Sequence, residues 1–178
     1  MWDRALNFDA TLKFILSEID KTLDKKILYK YDKIRLLYLS IALIQLKNGC
    51  RVGEAVDSML QYLENGTYDV NVRIGKRKDN AERKVIIPVE LDEIVNHISD
   101  LELPDKKTIV KRVKSYFITK YNINTHSFRY AYITKLSTEG VPAQVIAKIT
   151  GHKKLDCILH YTNQKAADNI LKKFSGRY

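Results

Sequence analysis

Several kinds of residue are scarce in this chain, and each shortage excludes a class of protein. Two cysteines, Cys50 and Cys157, cannot build a disulfide framework and lack zinc-ligand spacing. Free intracellular thiols are therefore expected. With only 3 prolines and 7 glycines, the chain carries no low-complexity block, and no internal repeat is visible. The N-terminus, MWDRALNFDA, lacks the apolar core of a signal peptide. The longest apolar run, LLYLSIALIQL from Leu36 to Leu46, is interrupted by Ser40 and Gln45 and is too short to span a bilayer. A cytoplasmic or nucleoid-associated protein with no membrane partner is expected. No cluster of carboxylates suited to magnesium occurs, and no glycine-rich loop that would cradle a nucleotide phosphate. Neither a metal nor any other cofactor is expected. Acidic residues are the scarcer charge: 21 Asp and Glu stand against 31 Lys and Arg, leaving a formal charge of +10. Such a surplus points to a polyanionic partner, with nucleic acid first in line.

What is present suits one domain, since 178 residues that are 45% apolar can bury a real core. Phe8, Leu12, Ile15, Ile19 and Leu23 recur at helical spacing. Arg35 to Lys47 reads as a second, largely buried helix stopped by Asn48-Gly49, and Glu54 to Leu63 as a third that ends at Asn65-Gly66. The period then changes. Tyr68, Val70, Val72 and Ile74 alternate with polar residues as in a half-buried strand, and Lys84 to Ile87, before Pro88, reads as its partner. The basic stretch GKRKDNAER between them is a hairpin tip. Helices are expected again over Leu91 to Ser99, Lys106 to Tyr121 and Phe128 to Ser137. Another has Pro142 in its first turn and ends before Gly151, and a last amphipathic one spans Gln164 to Phe174. The fold class is mainly α with a small antiparallel β-sheet, an α+β arrangement.

The stretch from Asn124 to Asn163 gathers chemistry. His126 and Arg129 are three apart and share a helix face. Gly151 places His152 at a helix end or tight turn, and Tyr161 follows nine residues later. Upstream, Arg51 stands just after a helix break, with Glu54 three residues on to orient it. Taken singly, each residue has an ordinary role. A histidine near a helix start caps or packs, Arg51 and Glu54 make a surface ion pair, Tyr161 is one of 11 tyrosines, and lysines in a hairpin tip are solvated.

Taken together and in order, these residues resemble the catalytic domain of the tyrosine recombinases, the family of phage integrases and Xer-type resolving enzymes. That family uses an arginine in a G-x-R-x-x-E context, a lysine in a β-hairpin, H-x-x-R, G-H, and a tyrosine nine residues beyond. Here the matches are Gly49-Cys50-Arg51 with Glu54, the hairpin lysine, His126 to Arg129, Gly151-His152 and Tyr161. Gly75-Lys76 fits the left side of the family hairpin pattern. Lys78 to Arg83 fits the right side better, which makes Lys78 the catalytic lysine in preference to Lys76. The first motif carries Gly53 where the family commonly has serine.

The resemblance implies that residues 1–178 form a single DNA breaking-rejoining catalytic domain. It would comprise a helical lead-in over 1–30 and a C-terminal helix over 164–178 for contacts between subunits, and the family's N-terminal clamp domain would be absent from this chain. It implies attack by Tyr161 on a DNA phosphodiester, giving a 3′-phosphotyrosine and a free 5′-hydroxyl without metal or ATP. A phenol of pKa near 10 is a poor nucleophile at neutral pH, so a positive pocket must favour its ionisation. Arg51 and Arg129 would bind the non-bridging oxygens as fixed forks. Lys78 would protonate the leaving oxygen, His126 manage the tyrosine proton, and His152 hydrogen-bond a phosphate oxygen. Lys76, Arg77, Lys153 and Lys154 would contact double-stranded DNA, helped by Lys111, Arg112 and Lys114. Dimers or tetramers on DNA are expected. The competing readings are a type IB topoisomerase, which relaxes DNA without exchanging partners, and a DNA-binding module without catalysis.

Overall fold

The computed structural model describes residues 6–75, 79–155, 158, 171, 174 and 175. The order of elements is α1 (Phe8–Leu23), α2 (Lys30–Asn48), α3 (Val52–Asn65), β1 (Asp69–Arg73), β2 (Glu82–Ile86), α4 (Leu91–Ile98), α5 (Lys106–Tyr121), α6 (His126–Thr138) and α7 (Ala143–Thr150). This is the mainly helical α+β arrangement expected, with one antiparallel pair of strands among the described residues.

Helix α2 is the axis of the molecule. Leu36, Leu39, Ala42, Leu43, Ile44 and Leu46 are fully buried, and apolar residues all round its surface let α1, α3, α4, α5 and α6 pack against it. Truncating one of these leucines to alanine removes about 2–5 kcal/mol, since a close-packed interior does not collapse onto the gap. A smaller cluster of Ile133, Ile146, Ala147 and Ile158 seats α7 on α6.

Several boundaries differ from the sequence expectation, each for a local reason. Helix α2 starts at Lys30 rather than Arg35 because the Asp32 carboxylate accepts the Tyr29 amide (3.2 Å) and ends the frayed turn. Helix α6 starts at His126 rather than Phe128 because Asn124 Oδ1 accepts the His126 amide (3.0 Å), which puts His126 in the first turn. Pro142 is the residue before the first turn of α7 and not within it. Strand β2 begins at Glu82, two residues early, and this brings Arg83 into the sheet opposite Val72. Of the helix expected over 164–174, only Leu171 and Phe174 are among the described residues, both in helical conformation.

Candidate active site

Four elements converge where α2 ends. Gly49 takes a left-handed conformation, φ 58°, and a Cβ there would lie 2.4 Å from Cδ1 of Tyr132, so only glycine fits. The turn it makes delivers Arg51 to the start of α3 and Glu54 to its first turn. The Glu54 carboxylate is buried, 2% exposed. One oxygen accepts Nη1 of Arg51 and the backbone amide of Gly75, both at 3.0 Å. The other accepts the Arg51 amide at 3.0 Å and lies 3.6 Å from Nη1 of Arg83. Glu54 therefore binds both the amide and the guanidinium of Arg51, and it is an internal hub rather than half of a surface pair. It also pins the root of the hairpin through Gly75.

Arg129 comes from α6 and is fully buried. Its Nη1 donates to the carbonyl of Gly49 at 2.8 Å, while Nε has no hydrogen-bond partner among the described residues. Burial and the neighbouring Arg51 charge lower its pKa to about 10, so it is still a cation at neutral pH. Its Nη2 lies 3.1 and 3.0 Å from the two ring nitrogens of His152. An atom that close to both cannot lie in the ring plane without striking Cε1, so the guanidinium sits over the imidazole face. Burial first, then the charges of Arg129, Arg51, His126 and Arg83, lower the His152 pKa to about 4. The ring is thus neutral at pH 7. Its tautomer follows from Thr150, whose hydroxyl proton goes to the Ile146 carbonyl at 2.6 Å. The same oxygen is 2.7 Å from His152 Nδ1, so it must accept from an Nδ1–H, leaving Nε2 with a lone pair. Gly151, at φ 72°, lets the chain turn there, and a Cβ on it would crowd Ile74 at 3.0 Å.

His126 stands edge-on to the Tyr130 ring at 4.4 Å between centroids, close enough for its charge to act on His152. The structure therefore brings together Arg51, Glu54, His126, Arg129 and His152. Lys153 and Lys154 follow at the exposed surface. Tyr161, Lys78, Lys76, Arg77 and Cys157 lie outside the described residues. Cys50 is buried beside the arginines, but burial pushes its thiol up to about 12, which removes it as a nucleophile. Arg83 was missed from the sequence. It occupies an inward position of β2, in step with Val85, and that parity was the available signal.

The model of the phage integrase family matches residues 15–168. The chain belongs to the phage integrase family. Among family relatives, an uncharacterised protein of Methanocaldococcus jannaschii is 38% identical, with 96% of this chain aligned to 87% of that protein. A protein of Acidianus two-tailed virus named as an integrase is 33% identical, over 98% of this chain and 69% of its own length. A Sputnik virophage protein named in the same way is 31% identical, over 88% and 78%. The fold is that of XerH site-specific recombinase in its post-cleavage complex with a palindromic difH substrate, with a TM-score of 0.60 at 18% identity over 98% of this chain. XerA recombinase superposes with a TM-score of 0.52 at 20% identity, over 87% of this chain and 66% of XerA. The chain spans 54% of the length of that XerH chain.

Proposed function

We propose that this phage integrase family member is a site-specific recombinase that cuts and rejoins double-stranded DNA through a covalent 3′-phosphotyrosine at Tyr161. The observation that carries this reading is the charge balance of the site. Arg51 and Arg83 pair with the carboxylate of Glu54, and Arg129 feels that carboxylate and the charges of the other two guanidiniums. The surplus of two positive charges matches a pentacoordinate phosphorus, which carries about two negative charges on its non-bridging oxygens. Arg129, buried with an unspent Nε, is poised for an anion that enters from outside.

In this mechanism Arg51 and Arg129 grip the non-bridging oxygens while the Tyr161 oxygen attacks phosphorus. The tyrosine proton passes to His126, and the 5′-oxygen departs with a proton from Lys78. The P–O bond to tyrosine forms as the P–O bond to the 5′-carbon's oxygen breaks, so the ester is conserved and a second strand's 5′-hydroxyl reverses the step. Lys76, Arg77, Lys153 and Lys154 hold the flanking backbone. The charge balance needs neither metal nor ATP. That XerH is named in complex with its difH DNA supports the choice of partner. Assembly into dimers or tetramers on DNA through residues 164–178 is supported by the exposure of Leu171 and Phe174, at 67% and 87%.

The test uses nicked suicide duplexes drawn from a randomised-sequence pool, followed by denaturing gels. Wild type is expected to give a covalent protein–DNA adduct, and Tyr161→Phe none. No adduct from wild type, or an adduct that survives Tyr161→Phe, overturns the proposal. Relaxation of any supercoiled plasmid without strand exchange would reassign the chain to topoisomerase chemistry.

A further inference from the structure

Arg83 adds its charge to the site but touches no reacting atom in the mechanism just described, and its burial calls for a cause. The alternation of β2 reserves its position for an apolar side chain, and a guanidinium there is only 6% exposed. A buried cation is costly unless paired and hydrogen-bonded. Two helix C-termini, α2 and α7, meet at this point, and each presents carbonyls with no partner inside its own helix. Nη2 of Arg83 donates to the Asn48 carbonyl at 2.6 Å. Nη1 reaches the carbonyls of Gly49 at 3.4 Å and Thr150 at 3.3 Å, and lies 3.6 Å from the Glu54 carboxylate.

We infer that Arg83 is a positioning residue that fixes the two arginines and His152 of the active site in register with one another. Three of the four groups it meets are one step from a group of the site. Glu54 orients Arg51. The Gly49 carbonyl also accepts from Arg129. Thr150 holds the His152 ring through its hydroxyl. A single planar fork thus ties α2, α3 and α7 together, and β2 carries it to them from the far arm of the hairpin. A lysine in its place supplies the charge at one point and cannot span three carbonyls from it. The inference rests on the transesterification reading, and the experiment separates the failure of one from the failure of the other.

Arg83→Lys and Arg83→Met are compared with wild type for cooperative melting, for duplex affinity, and for the adduct rate at saturating duplex well below each melting temperature. Displacing the site by about 1 Å costs on the order of 100-fold in rate, so the expected result is a loss of that size in both variants with affinity changed by less than ~3-fold. A purely structural role lowers the melting temperature and leaves the rate of the folded protein intact, and that result overturns the inference. So does a wild-type rate in Arg83→Lys, because charge alone would then suffice. If Arg83→Met does not fold, Arg83→Lys decides. If wild type forms no adduct on any duplex, the proposed function fails and the His152 ring decides, followed by NMR in the free protein. Its titrating neighbourhood is Arg129, Arg51, His126 and Arg83. Losing both the Arg83 charge and its hold on Thr150 must move the ring's midpoint upward in Arg83→Met, and an unchanged midpoint overturns the inference.

Discussion

Replacing Glu54 by glutamine is the sharpest probe of the hub, because it preserves shape and removes only charge and one acceptor. Every group around the carboxylate is a donor: Arg51 Nη1 and the Gly75 amide at one oxygen, the Arg51 amide and Arg83 Nη1 at the other. A side-chain amide offers one accepting oxygen and an NH2. Whichever way it is turned, donors face donors on one side. Two hydrogen bonds to a charged acceptor are weakened or lost at about 1.5 kcal/mol each. Arg83 also loses its carboxylate partner while buried. The sum, about 3–5 kcal/mol, is the range found when one member of a buried ion pair is deleted. With a urea slope of about 2 kcal/mol per molar, the unfolding midpoint should fall by about 1.5–2.5 M. The second readout runs the opposite way. With Glu54 neutralised the site carries an extra positive charge, so affinity for unselected duplex should hold or rise while the adduct rate drops. A midpoint shift below about 0.5 M, or affinity and rate falling together, refutes the assignment of Glu54 as the group that orients Arg51 and anchors the hairpin.

Gly49→Ala should cost more than about 2 kcal/mol in urea unfolding, since the left-handed backbone alone costs about 1–2 kcal/mol for an L side chain and the new methyl overlaps Tyr132; an unchanged midpoint would show that the turn can relax. Glu18 accepts Tyr121 Oη and Arg35 Nη2, both at 2.6 Å, and with Tyr121 as the largest cause its carboxyl is held at about 2. A folded pKa below the unfolded value stabilises at higher pH, so the Glu18 contribution should be complete above pH ~5 and fade as pH falls from about 4.5 through 2. Glu18→Gln should flatten that slope in acid unfolding. The His152 ring should titrate near 4 in the free protein when followed by NMR, and its midpoint should rise when duplex brings phosphate to the arginines; a midpoint near 6.5 without DNA would contradict the stacked guanidinium.

Much of the scaffold was legible in the sequence because its signals are local. The 3.6-residue spacing in α1, the glycine stops at 49 and 151 and the alternation of β1 each report a backbone conformation within a few residues of themselves. The helix starts at Lys30 and His126 were read late because their caps are side chains of Asp32 and Asn124 rather than a residue standing before an apolar run. Within the site, spacing gave the pairing of Arg51 with Glu54 and the shared helix face of His126 and Arg129, while the family resemblance joined His152 to them. It could not give the depth of Glu54 or the part played by Arg83. The first depends on the Gly75 amide, 21 residues away, and the second on carbonyls of α2 and α7, 34 to 67 residues away, which no pattern along one segment encodes.

The way the arginines are held explains how a site with surplus positive charge survives in a folded protein and still has charge to spend. A carboxylate beside Arg129 would steady it and also neutralise it, and an incoming phosphate would have to compete with that partner. Backbone carbonyls at the ends of α2 and α7 carry only partial negative charge, about half an electron per helix end. They accept from Arg129 and Arg83 and so offset part of the cost of burial, yet they leave the formal charges standing. The one full anion at the site among the described residues, Glu54, is directed chiefly at Arg51, 3.0 Å away against 3.6 Å for Arg83, and Arg51 is about a quarter exposed and has solvent to screen it. The fold therefore places its one counter-charge where orientation matters most and uses dipoles where an anion must later bind. Arg129 is held deepest and by the weakest partner, which makes it the group with most to gain when negative charge arrives.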